Sequence, residues 1–349
     1  MATPMRNPKD SMKSTWRTWD RKQWNGGHRF LEFLNIHHID LDKDFPIHAK
    51  TDKVPYAPEL QFHLWVLFYA SIPLVLHQAY IAFFGHNLSP VLAYIFYNLA
   101  LQIIAIHQVH ILRRLGHTYG FFDGDKHPRD GVPDQGVGKT IQTILSVVFF
   151  RPMFTVWFAY RVDQGPSTIP LLWTFVETGA YAVILDFWYY SFHRLAHESE
   201  NLWRFHRTHH LTKHPNPLLT AYADSVQEFF DIAGAPLLTY FTMKFLGFPI
   251  GFYEWWICQE YVVFTEILGH SGLRMEATAA NPWTWLLRVF NVELVIEDHD
   301  LHHRRGWKKS YNYGKQTRIW DRLFGTTHHR VEGHADNIDY VNTAKIPLF

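Results

Sequence analysis

The chain has almost no cysteine: Cys258 is the only one in 349 residues. A lone thiol excludes an internal disulfide framework and any metal cluster held by thiolates, and it is consistent with a cytosolic setting. There is also no excess charge of either sign. Lys and Arg number 33 against 32 Asp and Glu, so the electrostatic footprint needed to hold a nucleic acid is missing. The first thirty residues are basic but have no apolar stretch after those charges, so no cleavable signal peptide is expected there. The zinc-protease pattern H-E-x-x-H is absent, and no internal repeat or low-complexity tract appears.

Two things are abundant: 24 histidines, and aromatic residues at 17% of the chain. The mean hydropathy of −0.16 averages two unlike kinds of sequence. Residues 1–61 are polar and basic, whereas apolar stretches cover 62–84, 90–112, 141–160 and 169–192. Each is close to the roughly 20 residues that cross a bilayer as a helix. Two further stretches, 232–250 and 251–268, are separated by LGFPIG and carry Glu254, Glu260 and Glu266, which reads as a short or re-entrant hairpin. Buried helices of a soluble bundle are the alternative. Charge distribution favours the membrane: the connectors GHNLSP and RVDQGPSTIP contain one basic residue, Arg161, against ten Lys and Arg in 1–61, five in 113–139 and eleven after His270. The positive-inside rule then places both termini, the 113–139 loop and the 193–231 insert in the cytosol. The expected fold is an all-α integral membrane helical bundle, about four transmembrane helices plus the hairpin, with a cytosolic His-rich di-metal lobe. Its expected divisions are an N-terminal segment (1–61), a first transmembrane hairpin with its cytosolic loop (62–140), a catalytic region (141–327) and a C-terminal tail (328–349).

The histidines cluster. His193 and His197 form an H-x3-H pattern, and His206, His209, His210 and His299, His302, His303 each form H-x2-H-H. Spacings of three and four place side chains on one helical face. Packing gives no reason to gather imidazoles that repel when protonated, whereas a metal ion needs several converging within about 2 Å. All-imidazole ligation suits Zn, Cu, Fe or Ni alike. Eight ligands are too many for one ion and enough for two. Asp186, two helical turns before His193, and Asp298 and Asp300, flanking His299, are candidates to orient the imidazoles. Trp188, Tyr189, Tyr190 and Phe192 are candidate lining residues. His107, His110 and His117 read as polar capping at the interface, His328, His329 and His334 as surface residues, and His214 has no assigned role.

HRLAH, WRFHRTHH and HDLHH, in that order with a hydrophobic hairpin before the third, together with the closing segment Ile319-Trp-Asp-Arg-Leu-Phe-Gly-Thr, resemble the fatty acid hydroxylase/sterol desaturase superfamily over roughly residues 170–327. The resemblance implies an endoplasmic-reticulum membrane oxygenase with a di-iron centre, O₂ as co-substrate, and electrons from NAD(P)H through cytochrome b5 and its reductase. It implies the ligands His193, His197, His206, His209, His210, His270, His299, His302 and His303. Some members carry another His four residues before His270; here that place holds Glu266, a candidate ligand or supporting carboxylate. Many members read H-P-x-E after the second cluster, whereas this chain has Ala223-Asp-Ser-Val-Gln-Glu228, a departure that bars transfer of one particular substrate. The haem motif His-Pro-Gly-Gly is absent, so no fused cytochrome b5 domain is expected. The expected reaction is hydroxylation, or methyl oxidation, of a lipid, sterol or other apolar molecule, including terpenoid or polyketide ones. A desaturase on the same site and, from another class, a zinc-dependent membrane hydrolase are the rivals, with a non-catalytic metal-storing protein as a third.

Overall fold

Helix formation follows the apolar stretches closely. In the computed structural model, which describes residues 10–124 and 126–349, a short helix α1 (Gly26–Leu34) begins at an Asn25 cap and ends with Asn35 in the left-handed region. The long helices are α2 (Leu60–Phe84), α3 (Pro90–Tyr119), α5 (Val137–Ala159) and α6 (Leu171–Glu198), with the single turn α4 (His127–Asp130) between the second and third. Then come α7 (Glu200–His206), α8 (Ser225–Phe229), α9 (Ala235–Phe245), α10 (Phe252–Gly269), α11 (Thr284–Val289), α12 (Ile296–Arg305) and α13 (Ile319–Leu323). A π-helical turn, Phe230–Gly234, joins α8 to α9. Pro236 follows directly and has no N–H for the carbonyl of Ile232, which accounts for the widened turn.

Helices α2, α3, α5 and α6 are long and apolar enough to cross a membrane. Only 28% of the most apolar window of each of the first three is buried by protein. Leu64, Leu76, Ile103, Phe149 and Trp157 are exposed on their outer faces, a continuous apolar surface that water would not tolerate and lipid would. In α6 the buried share rises to 50%, because α9 and α10 pack along this helix. The chain is a membrane protein, an all-α bundle as expected.

The expected hairpin is α9 and α10. Helix α9 lies along α6, and α10 runs through the centre of the bundle against α2, α3, α5 and α6. Central placement explains how α10 carries three glutamates. Glu254 caps the helix's own start by accepting from Gly251 N at 3.0 Å, and the neighbouring Gln259 donates to Thr155 Oγ1 at 2.6 Å.

The polar ends of the sequence fold onto the lobe. Strands β1 (Val54–Pro55) and β2 (Ile338–Asp339) pair in parallel, Val54 opposite Ile338 and Pro55 opposite Asp339. Arg274 and Glu332, both buried, pair at 2.8 Å. His110 Nε2 donates to the Leu34 carbonyl, His117 Nε2 accepts from Asp40 N, and His107 meets Tyr69 Oη at 2.9 Å. These three histidines therefore tie other segments to α3. His329 and His334 are exposed, and His328 stacks on Tyr311.

Candidate metal centre

The histidines gather from four places: the end of α6, the α7 end and following turn, the residue after α10, and α12. They form two groups. His193, His197, His206, His210 and His302 bring one ring nitrogen each to within 4.8 Å of one another, and His209, His270, His299 and His303 do the same beside them. All nine are buried. Helical spacing explains the partition. Pairs four apart stay together (193/197, 206/210, 299/303), while the middle member of each H-x2-H-H triplet, His209 or His302, projects to the other group. Each triplet thus stitches both groups together.

Hydrogen bonding settles which nitrogen faces inward. Nδ1 donates to a carbonyl in His193 (Tyr313, 2.7 Å), His197 (Trp307, 2.8 Å), His302 (Tyr311, 2.6 Å), His303 (Thr212, 3.0 Å) and His270 (Glu266, 2.8 Å). His206 Nδ1 donates to Gln227 Oε1 at 3.0 Å, and the Gln227 amide donates onward to Asp231 Oδ2 at 2.9 Å, which fixes the orientation of the amide. With the proton held on Nδ1, Nε2 of each ring is a bare lone pair. Those of His193, His197, His206 and His303 have no partner although buried. Those of His302 and His270 are crowded against other ring nitrogens, at 3.0 Å from His210 Nε2 and 2.8 Å from His299 Nε2. Unsatisfied buried acceptors are costly, and a cation in each group would satisfy them together. The donor set fits two metal ions.

Burial, with repulsion from neighbouring rings, holds His206, His209, His210, His270, His299 and His302 well below the usual imidazole value. His303 falls to about 3, burial again being the largest cause. All seven are neutral at physiological pH, the form that ligates metal.

The expected carboxylates are placed differently. Asp186 does not meet His193. It accepts from the backbone N–H of Lys315, Gln316 and Thr317 and from Thr317 Oγ1. Asp321, of the Trp-Asp segment, accepts from Tyr313 N and Gly314 N, both at 2.8 Å, and from Thr326 Oγ1. The two aspartates clamp the loop 311–317 whose carbonyls orient His193 and His302, so Asp186 acts one step further away than its spacing suggested. Asp298 also touches no imidazole: it caps the start of α12 through Val295 N and pairs with Arg330 at 2.9 Å. Asp300 pairs with Arg304. Glu266 contributes its backbone carbonyl to His270, while its carboxylate turns to Arg151 at 3.5 Å and lies outside both groups. His214 is buried with neither ring nitrogen partnered and belongs to neither group.

A cavity of about 220 Å³ lies between α3, α5, α10 and the segment 217–232. Most of its wall is apolar, including Leu101, Ile106, Val148 and Ile267, and one part carries Arg151, Glu228, Asp231, Glu266 and Lys315. That charged part is one contact from the histidines: Asp231 through Gln227 to His206, and the Lys315 ammonium over the Tyr189 ring, which lies against His193. None of Trp188, Tyr189, Tyr190 and Phe192 lines the cavity. Trp188 bonds Thr242, Tyr190 bonds Thr326, Phe192 stacks on Phe230 and Tyr189 packs on His193. Gln227 and Lys315 had no sequence signal of their own, since one lies in the departure at 223–228 and the other in an ordinary-looking loop.

The family model for fatty acid hydroxylases matches residues 178–326. The chain is 44% identical over 307 residues to fatty acid hydroxylase vlmA of Lecanicillium sp, covering 84% of each protein. It is 30% identical over 176 residues to alkylglycerol monooxygenase of Xenopus tropicalis, covering 49% of this chain and 34% of that protein. Ornithine lipid hydroxylase OlsE of Rhizobium tropici is 30% identical over 150 residues, 42% of this chain and 40% of its own length. No solved structure matches the chain significantly.

Proposed function

The chain belongs to the fatty acid hydroxylase family, a membrane oxidoreductase by that membership, and on that premise we propose that it hydroxylates the acyl or alkyl chain of a lipid with O₂ at a di-iron centre. The nine histidines are the proposed ligands, five to one iron and four to the other. When bound, the metal pair supplies the oxidising power that an unactivated C–H bond requires. The protein's own residues do the rest. Nδ1 donation, to carbonyls in five rings and to Gln227 in a sixth, keeps those Nε2 atoms deprotonated and aimed inward, and burial of all nine rings excludes water. The apolar wall between α3 and α5 accepts the hydrocarbon. Leu145, half exposed on the outer face of α5, lines the same cavity and gives it a side toward the bilayer. The proposed setting is the endoplasmic-reticulum membrane, lobe and termini in the cytosol, with cytochrome b5 and its NAD(P)H-dependent reductase as electron source.

The observation that carries this reading is the convergence of two sets of bare imidazole nitrogens beside an apolar, membrane-side cavity. Lipid mass spectrometry of a host expressing the chain, against His209→Ala, tests it. A +16 product lost in the variant supports hydroxylation. A −2 product would assign desaturation instead, and bound zinc with O₂-independent turnover would overturn the reading in favour of a hydrolase.

A further inference from the structure

One exposed aromatic residue sits on the backbone that orients a candidate ligand. Trp307, 37% exposed, follows α12, and its carbonyl accepts from His197 Nδ1. Its indole packs edge-on against Trp203, centroids 5.1 Å apart, and Trp203, only 8% exposed, lies 5.2 Å from the His197 ring and 5.7 Å from that of His210. Two π systems therefore span the distance from solvent to the five-histidine group without a gap. The surface around Trp307 is basic. Lys213 Nζ stands 4.6 Å and the Arg207 guanidinium 5.6 Å from the indole centroid, and Arg204, Arg305 and Lys309 are exposed nearby in sequence. Two acids enter the patch, Asp10 on Arg207 and Glu200 on Lys308. They neutralise those two cations and leave the other four in excess.

We propose that Trp307 and its basic rim are the docking surface for a small acidic one-electron carrier protein, and that Trp307 and Trp203 couple the carrier to the metal pair. The inference rests on the hydroxylase reading above. Electron coupling decays steeply with distance, so a carrier gains most by touching the surface where conjugated rings reach the site. Tryptophan and arginine are also the residues enriched where proteins associate, and a basic rim steers an acidic partner. Cations over the indole disfavour removing an electron from it, so the rings bridge the electron and do not store a radical. The balance is two electrons, one per docking of a reduced carrier, which with two protons and O₂ convert R–H to R–OH and water while two carriers are oxidised.

The test uses the full-length chain in detergent or nanodiscs with the acidic haem domain of cytochrome b5 as probe, and basic cytochrome c as its counter-probe. Binding is read by titration calorimetry on the metal-free chain, and electron transfer by stopped-flow oxidation of the reduced haem by the iron-loaded chain. Wild type is expected to bind the acidic probe more weakly as salt rises and not to bind cytochrome c. The double variant Arg305→Glu/Lys309→Glu is expected to lose at least about tenfold in both binding and transfer rate, with metal content and dithionite-driven turnover unchanged. Trp307→Leu is expected to slow transfer at least about tenfold more than it weakens binding, with circular dichroism checking the fold. Unchanged binding and transfer in the double variant would overturn the docking site, and unchanged transfer in Trp307→Leu would overturn the aromatic bridge. Failure of dithionite-reduced, iron-loaded wild type to form a +16 product would instead count against the hydroxylase reading.

Discussion

At the scale of single residues, the site depends on which nitrogen of each ring carries the proton. Backbone carbonyls set this for five rings and Gln227 for a sixth. Asp186 and Asp321 in turn hold the loop that supplies two of those carbonyls. Asp186→Asn replaces an acceptor oxygen with a donor aimed at backbone N–H groups, so it should loosen residues 315–317 and weaken metal retention about 10- to 100-fold. Chelator competition followed by metal analysis measures this, and wild-type retention would show that the clamp is not needed. The low imidazole values have a consequence for the metal-free chain. His303 at about 3 when folded, against 6.5 as its ordinary value, binds protons more readily when unfolded. Its contribution to stability is complete above pH 6.5 and is lost as pH falls from there toward 3, at about 1.4 kcal/mol per pH unit. Metal-free protein should therefore melt at lower temperature at pH 5.5 than at 7.5, and a flat profile would contradict the burial of neutral rings. Eight of the histidines were legible in sequence because a charged-capable residue repeated at helical spacing has little other explanation, whereas the lone His270 was legible only through the family resemblance. Asp186 was legible as important and misread in its contact, since spacing along one helix says nothing of a loop arriving from 129 residues away.

At the scale of elements, spans and clusters were readable, and depth in the bundle was not. Hydropathy marked α2, α3, α5 and α6, though α3 runs to Tyr119 and α6 to Glu198, past the apolar stretches, because protein contacts replace lipid at those ends. The central position of α10 was hidden by its glutamates, of which Glu254 caps the helix's own start and Glu266 pairs with Arg151 of α5. Helix α6 must approach Trp283 closely at Gly179, where a Cβ would stand 2.4 Å from the indole. Gly179→Val should cost about 1–3 kcal/mol through overpacking, read as a lower thermal midpoint in detergent. An unchanged midpoint would mean that the indole moves away freely.

At the scale of the whole molecule, one end of a lipid-facing bundle holds all nine candidate ligands and the basic docking rim. The opposite end is closed by short, nearly uncharged connectors. Cys258 is buried, so background labelling by an impermeant maleimide should be low. In sealed microsomes Thr51→Cys should be labelled directly and Ser167→Cys only after permeabilisation, both positions being exposed. The reverse pattern would invert the orientation. The central claim is that two metal ions held by these histidines oxidise a lipid chain with O₂. Turnover under ¹⁸O₂ with metal analysis on the same preparation tests it most directly. About two irons per chain and one ¹⁸O atom in the hydroxylated lipid are expected, both falling together in His209→Ala and His302→Ala. Product carrying oxygen from water, or full activity in either variant, would contradict it.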